Sequence, residues 1–106
     1  MAQILCWDID YKPILKHWST VKCSDKKKLL SYLQQDSIIL ASSDVWANTA
    51  YKQFLILTKV HYPNVQIGIV SPRTKKATSL VTYLKISEIE DFIKRFMRRQ
   101  FKLVDH

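Results

Sequence analysis

The chain has one glycine in 106 residues, and that scarcity closes off several chemistries. Loops that cradle phosphates in P-loop or dinucleotide-binding proteins need several glycines so that the backbone can approach the ligand. Gly68 stands alone, inside an apolar stretch, and cannot build one. Cysteine is almost as sparse. Cys6 and Cys23 have no CxxC spacing and no histidine pair nearby, so the expectation is two buried, reduced thiols with no metal site and no disulfide. His17, His61 and His106 lack any mutual spacing that would point to ligation or proton transfer. Acidic residues are few, 9 against 17 lysines and arginines, for a net charge of +8. No apolar run approaches the roughly 18 residues of a membrane span. Met1 leads directly into the first expected strand, with nothing of signal-peptide type before it, so a cytoplasmic location is expected.

What is present is the composition of a folded domain: 47% hydrophobic and 25% charged residues. Residues 1–106 are enough for one domain with a substantial core and leave no room for a second. Its central feature is Asp36-Ser37-Ile38-Ile39-Leu40-Ala41-Ser42, too short for a helix and too uniformly apolar for an edge strand. A strand covered by helices on both faces loses the alternating pattern, because neither side meets water. Residues 2–7 and 65–70 share this character.

Between these strands the periodicity predicts helices. Residues 11–19 carry Pro13 at a first-turn position with Ile14, Leu15 and Trp18 at helical spacing. A brief strand is expected over 20–23. Ser24 is the expected N-cap for a helix over 25–35, with Leu29, Leu30 and Leu33 as its apolar stripe and Lys26, Lys27 and Lys28 facing water. Ser42-Ser43-Asp44 reads as a loop. A helix over 48–61 places Tyr51, Phe54, Leu55 and Thr58 on one face and is stopped at Tyr62-Pro63-Asn64. Residues 72–79 are polar and basic, a loop or one helical turn, and 80–85 form a last strand. Ser87 and Glu90 match a capping box for a final helix with Ile89, Phe92, Ile93, Phe96 and Met97 in one stripe. Strands alternating with helices predict an α/β fold, a doubly wound, five-stranded parallel sheet of order 2-1-3-4-5 whose crevice lies at the carboxyl ends of strands one and three.

The order and spacing of these segments resemble the receiver domain of bacterial response regulators. Ile4-Leu5-Cys6-Trp7-Asp8-Ile9-Asp10 resembles the first strand and its acidic corner, residues 20–35 the second strand and helix, and residues 36–41 the strand that ends in the phosphorylated aspartate. Residues 65–71 resemble the fourth strand with its switch hydroxyl, and Tyr83-Leu84-Lys85 the strand that delivers the family lysine. The segment between them is too short for the family's fourth helix.

The departures carry the functional expectation. The family places two adjacent carboxylates after strand one and a third at the end of strand three, where they hold magnesium and accept a phosphoryl group. Here Asp8 matches the first, but Ile9 falls on the second and Ala41 on the phosphoacceptor. Neither side chain can ligate a hard cation, and alanine has no nucleophile. Ser71 and Lys85 match the two remaining positions with no phosphoryl group to read. Shifting the register toward Ser42 or Asp44 does not restore the paired acids. The resemblance therefore implies a degenerate receiver without catalysis, cofactor or metal.

Two further features bear on partners. Trp46, in the loop after strand three, is a candidate anchor for a partner protein. Arg73, Lys75 and Lys76, with Arg95, Arg98, Arg99 and Lys102 on the last helix, would in the receiver arrangement fall toward one side, the family's output side. Such a patch suits another protein with an acidic surface, which is the favoured partner, or alternatively nucleic acid phosphates. The final helix commits its aromatics to the core stripe, which weakens the nucleic-acid alternative. A third alternative is a small metal-dependent hydrolase using Asp8 and Asp10, two residues apart on a strand end. Such enzymes need further acids or a base, and Asp36, Asp44 and Glu88 lie outside any matching motif.

Overall fold

A computed structural model describes residues 3–9, 20–34, 36–72 and 80–104, with side chains in the last helix as far as Phe96. The five strands are β1 (Ile4–Trp7), β2 (Thr20–Cys23), β3 (Ile38–Ser42), β4 (Gln66–Val70) and β5 (Thr82–Leu84). They form one all-parallel sheet of order 2-1-3-4-5, the arrangement expected from the sequence. The register pairs Trp7 with both Cys23 and Ala41, and Ala41 with Ile69. The described helices are α1 (Lys26–Tyr32), α2 (Ser43–Ala47), α3 (Thr49–His61) and α4 (Ile89–Val104). The helix expected over 11–19 and the basic segment 73–79, with Arg73, Lys75 and Lys76, lie outside the described residues.

The two faces of the sheet have separate cores. On one, Leu29 of α1 and Leu55 of α3 pack over Leu5, Trp7, Ile39, Ala41, Ile67 and Ile69. On the other, Ile89, Phe92 and Ile93 of α4 cover Ile4, Cys6, Ile38, Leu40 and Leu84. Every residue of β1, and Ile38 through Ala41 of β3, is buried, as a doubly covered strand requires. Gly68 sits where a Cβ would lie 2.8 Å from Leu84 Cδ1, 3.0 Å from Leu40 Cδ2 and 3.3 Å from Phe92 Cε2. Its missing side chain lets α4 approach the middle of the sheet.

Four local expectations are corrected. The N-cap of α1 is Asp25, whose carboxylate accepts from the Lys28 N–H at 2.8 Å, in place of Ser24. Leu30 leaves the apolar stripe of α1 and is 50% exposed, because this seven-residue helix buries only Leu29. Residues 43–47, read as starting in a loop, are a helical turn. The Ser42 hydroxyl accepts from the Val45 N–H at 3.2 Å and so caps it. The capping box before α4 uses Lys85 and Glu88 in place of Ser87 and Glu90. The Glu88 carboxylate accepts from the Lys85 N–H at 2.9 Å, and the Glu88 N–H donates back to the Lys85 carbonyl at 2.9 Å. This closes a 3-10 turn over Ile86–Glu88 that leads into α4.

Candidate functional site at the carboxyl ends of the strands

In parallel sheets of this order, the chain leaves β1 and β3 toward opposite faces, and a crevice opens between the departing loops. Here an open cleft of about 650 Å³ lies at that point. Trp7, Asp8 and Ile9 from the end of β1, Lys22, Cys23 and Ser24 from the end of β2, Lys28 of α1, and Asp44, Asn48 and Tyr51 around α2 and α3 contribute to its lining. Its charged groups are mixed: two carboxylates, Asp8 and Asp44, and two ammonium groups, Lys22 and Lys28.

Asp8 is held by register and by one bond. Trp7 and Ala41 are partners on neighbouring parallel strands, so the next residue of each strand, Asp8 and Ser42, comes out side by side. The Ser42 hydroxyl donates to Asp8 Oδ2 at 2.7 Å while accepting from the Val45 N–H, so it is used twice. Asp8 also has a φ of 60°, the one non-glycine residue of the described chain with positive φ. This left-handed conformation costs most residues about 1–2 kcal/mol, and aspartate tolerates it better than most. The hydrogen bond to Ser42 fixes the carboxylate at the bend.

At the other positions implied by the receiver resemblance, Ile9 is half-buried against the α4-side core. Ala41 is fully buried in the core on the other face of the sheet. Ser71 is buried, with its N–H donating to the Leu84 carbonyl at 2.8 Å across the β4–β5 edge. Lys85 is exposed at the end of β5. Among the described residues, no three histidine, cysteine, aspartate or glutamate side chains gather as a metal site. Asp10, the second acid of the hydrolase alternative, lies outside the described residues.

Trp46, in α2, is half-buried. Its indole N–H donates to the Tyr83 hydroxyl at 3.1 Å, and the Lys52 ammonium lies 5.0 Å from its ring centroid. Trp7 forms the apolar floor, with ring centroids 4.8 Å from Tyr51 and 5.9 Å from Phe54. Cys6 and Cys23 are both free and buried. Burial pushes the Cys6 thiol up to about 11, with the neighbouring Cys23 adding to the rise and Lys22 opposing it. Burial raises the Cys23 thiol as well. Burial thus favours the neutral thiol over the thiolate at both positions.

Of the basic positions expected to meet a partner, Arg95 is exposed on α4, its Nε donating to the Asp91 carbonyl at 3.4 Å. Arg98, Arg99 and Lys102 belong to the same helix, with side chains beyond the described portion. Sequence reasoning missed Lys22, Lys28, Asn48 and Tyr51 as lining residues, and it undervalued Ser42. Only the strand register signals the Asp8–Ser42 pair, and that register can be counted only once Trp7 is aligned with Ala41. Comparison with protein-family models, curated proteins and solved structures yields no match to this chain.

Proposed function

We propose that this protein is a receiver-like regulatory module that works without phosphorylation, by binding another protein through its basic last helix. The observation that carries this reading is the pairing at the crevice. Asp8 occupies the place of a family metal ligand, but its carboxylate is bonded to Ser42, while Ile9 and Ala41 turn apolar side chains into the two cores. A hard cation needs several converging oxygens, and a phosphoryl acceptor needs a nucleophile; Ile9 and Ala41 supply neither. The fold retains its scaffold and the site has been rebuilt as a structural bend. A cytoplasmic location is part of the same proposal. Among the described residues, no helix is long and apolar enough to cross a membrane.

Trp7 lines the crevice and adjoins Asp8, so intrinsic fluorescence reports on the site. Titration with magnesium and then beryllofluoride is expected to leave the emission unchanged, whereas a saturable change would overturn the reading. Partner binding is tested by reversing charge at Arg95, Arg98 and Arg99. The triple glutamate variant is expected to fold normally and to lose the proteins that the unaltered chain retains from its native cells. Undiminished capture would remove α4 as the docking surface.

The net charge of +8 supports a second reading, nucleic-acid binding. It predicts anisotropy changes with random duplex or single-stranded DNA that fall steeply between two salt concentrations. No binding at low salt disposes of it.

A further inference from the structure

The face of the sheet away from α4 carries a second surface, lined by residues other than those of the crevice. Helices α1 and α3 lie side by side there, and a groove of about 620 Å³ runs between them, lined by Leu30, Phe54, Leu57, Thr58, His61 and Tyr62. Leu30 and Leu57 are 50% and 56% exposed, and Val60, one turn on from Leu57, is 62% exposed. Large apolar side chains clustered at this exposure mark an interaction site more often than an ordinary surface.

The two helices that bound the groove carry side-chain charge of one sign, although Lys52 is turned away from it, over Trp46. The segments 26–32 and 49–61 contain Lys26, Lys27, Lys28, Lys52 and Lys59 and no aspartate or glutamate. Lys26 lies four residues before Leu30, on the same helical face. Its ammonium sits 5.8 Å from the Tyr51 ring centroid and 5.9 Å from that of Phe54, at the edge of the apolar strip. Lys59 is engaged elsewhere, donating to the Pro63 and Val65 carbonyls, and so braces the far end of α3.

We infer that this groove binds an amphipathic, acidic helix of a partner protein. A helix laid between two others presents apolar residues at i, i+3 or i+4 and i+7, which matches a strip formed by Leu30, Phe54 and Leu57. Glutamates flanking that stripe would meet Lys26 and Lys27 of α1, four and three residues before Leu30 on the same helical side, giving charge complementarity that sets orientation and speeds encounter. The site is concave and bounded by two helices, a shape that favours a helix over a flat bilayer. This surface lies across the sheet from α4, and the inference stands independently of the role proposed for Arg95, Arg98 and Arg99.

The test uses a fluorescently labelled synthetic helix of roughly 18 residues, with leucines at that spacing and glutamates on the flanks. Two controls accompany it: a scrambled peptide of the same composition, and a version with lysine for each glutamate. The acidic amphipathic peptide is expected to bind saturably, and both controls are expected not to. Leu57→Glu and Leu30→Gln alter exposed side chains and leave the circular dichroism unchanged, and each is expected to weaken binding by about tenfold. Lys26→Glu together with Lys27→Glu weakens it to a similar degree, whereas the triple reversal at Arg95, Arg98 and Arg99 leaves it unchanged. The inference is overturned by absence of binding, by equal binding of the scrambled peptide, or by full binding to Leu57→Glu. It is also overturned if phosphatidylserine vesicles bind in place of the peptide and lose affinity in the same variants, since the surface would then be a membrane contact.

Discussion

Asp8 combines an unfavourable backbone conformation with a compensating side-chain bond. Its φ of 60° is tolerable for aspartate and costly for alanine, and its carboxylate is the acceptor for Ser42. Asp8→Ala therefore loses the hydrogen bond and raises the strain together, and is expected to destabilise the protein by about 1–2 kcal/mol. Asp8→Gly loses only the bond, because glycine adopts positive φ freely, and should recover part of that loss. Urea midpoints of the two variants compare them, and equal midpoints would mean that the bend is unstrained. Cys6 provides a second test at this scale. Its folded form favours the neutral thiol, whose pKa rises from 9.0 to about 11. The folded state thus holds its proton more tightly than the unfolded state does. This contribution to stability is complete below about pH 9 and declines as pH climbs toward 11. Cys6→Ala is expected to show a shallower loss of stability across that alkaline window. In the unaltered protein, neither thiol should react with a thiol-specific reagent at pH 8 until urea unfolds the chain.

At the level of elements, the strands are where sequence and structure agree best, and the reason is burial on both faces. Ile38, Ile39, Leu40 and Ala41 are all fully buried, so their unbroken apolar run admits few other placements. Helix ends were less legible. The choice between Ser24 and Asp25, or between Ser87 and Lys85, depends on which residue adopts extended backbone geometry just before the turn. Both candidates in each pair are compatible with the local pattern, so the surrounding chain decides. Gly68 acquires its meaning only at this scale. A valine there would bring its Cβ against Leu84, Leu40 and Phe92, with two methyl groups still to be accommodated between α4 and β4. Gly68→Val is expected to cost about 2 kcal/mol, read as a drop in the thermal or urea midpoint. A neutral outcome would show that the α4 interface repacks without strain.

For the whole molecule, the decisive quantity is the excess of positive charge. At +8 the folded chain repels itself, and added salt screens that repulsion. The unfolding midpoint is expected to rise between low and physiological sodium chloride concentration; a flat response would mean that local ion pairs already neutralise the effect. The distribution of charge matters more for function than the total. Helices α1 and α3 carry lysines without acids on one face of the sheet, whereas α4 on the other begins with Glu90 and Asp91 and continues into Lys94 and Arg95. The two faces are thus chemically different surfaces.

The sequence alone determined the class and order of the sheet, because doubly buried strands must be continuously apolar and short parallel crossovers leave few topologies. It also determined that Ile9 and Ala41 bring no ligand or nucleophile to the end of the sheet, since side-chain chemistry does not depend on the fold. Tertiary structure decided which of the remaining polar groups meet. The Asp8–Ser42 bond joins residues 34 apart in the chain through the β1–β3 register, and the Trp46–Tyr83 bond joins residues 37 apart. It also decided that Leu30 and Leu57 face outward together. Periodicity ranks residues around a single helix axis but carries no information about how far a second helix will cover them.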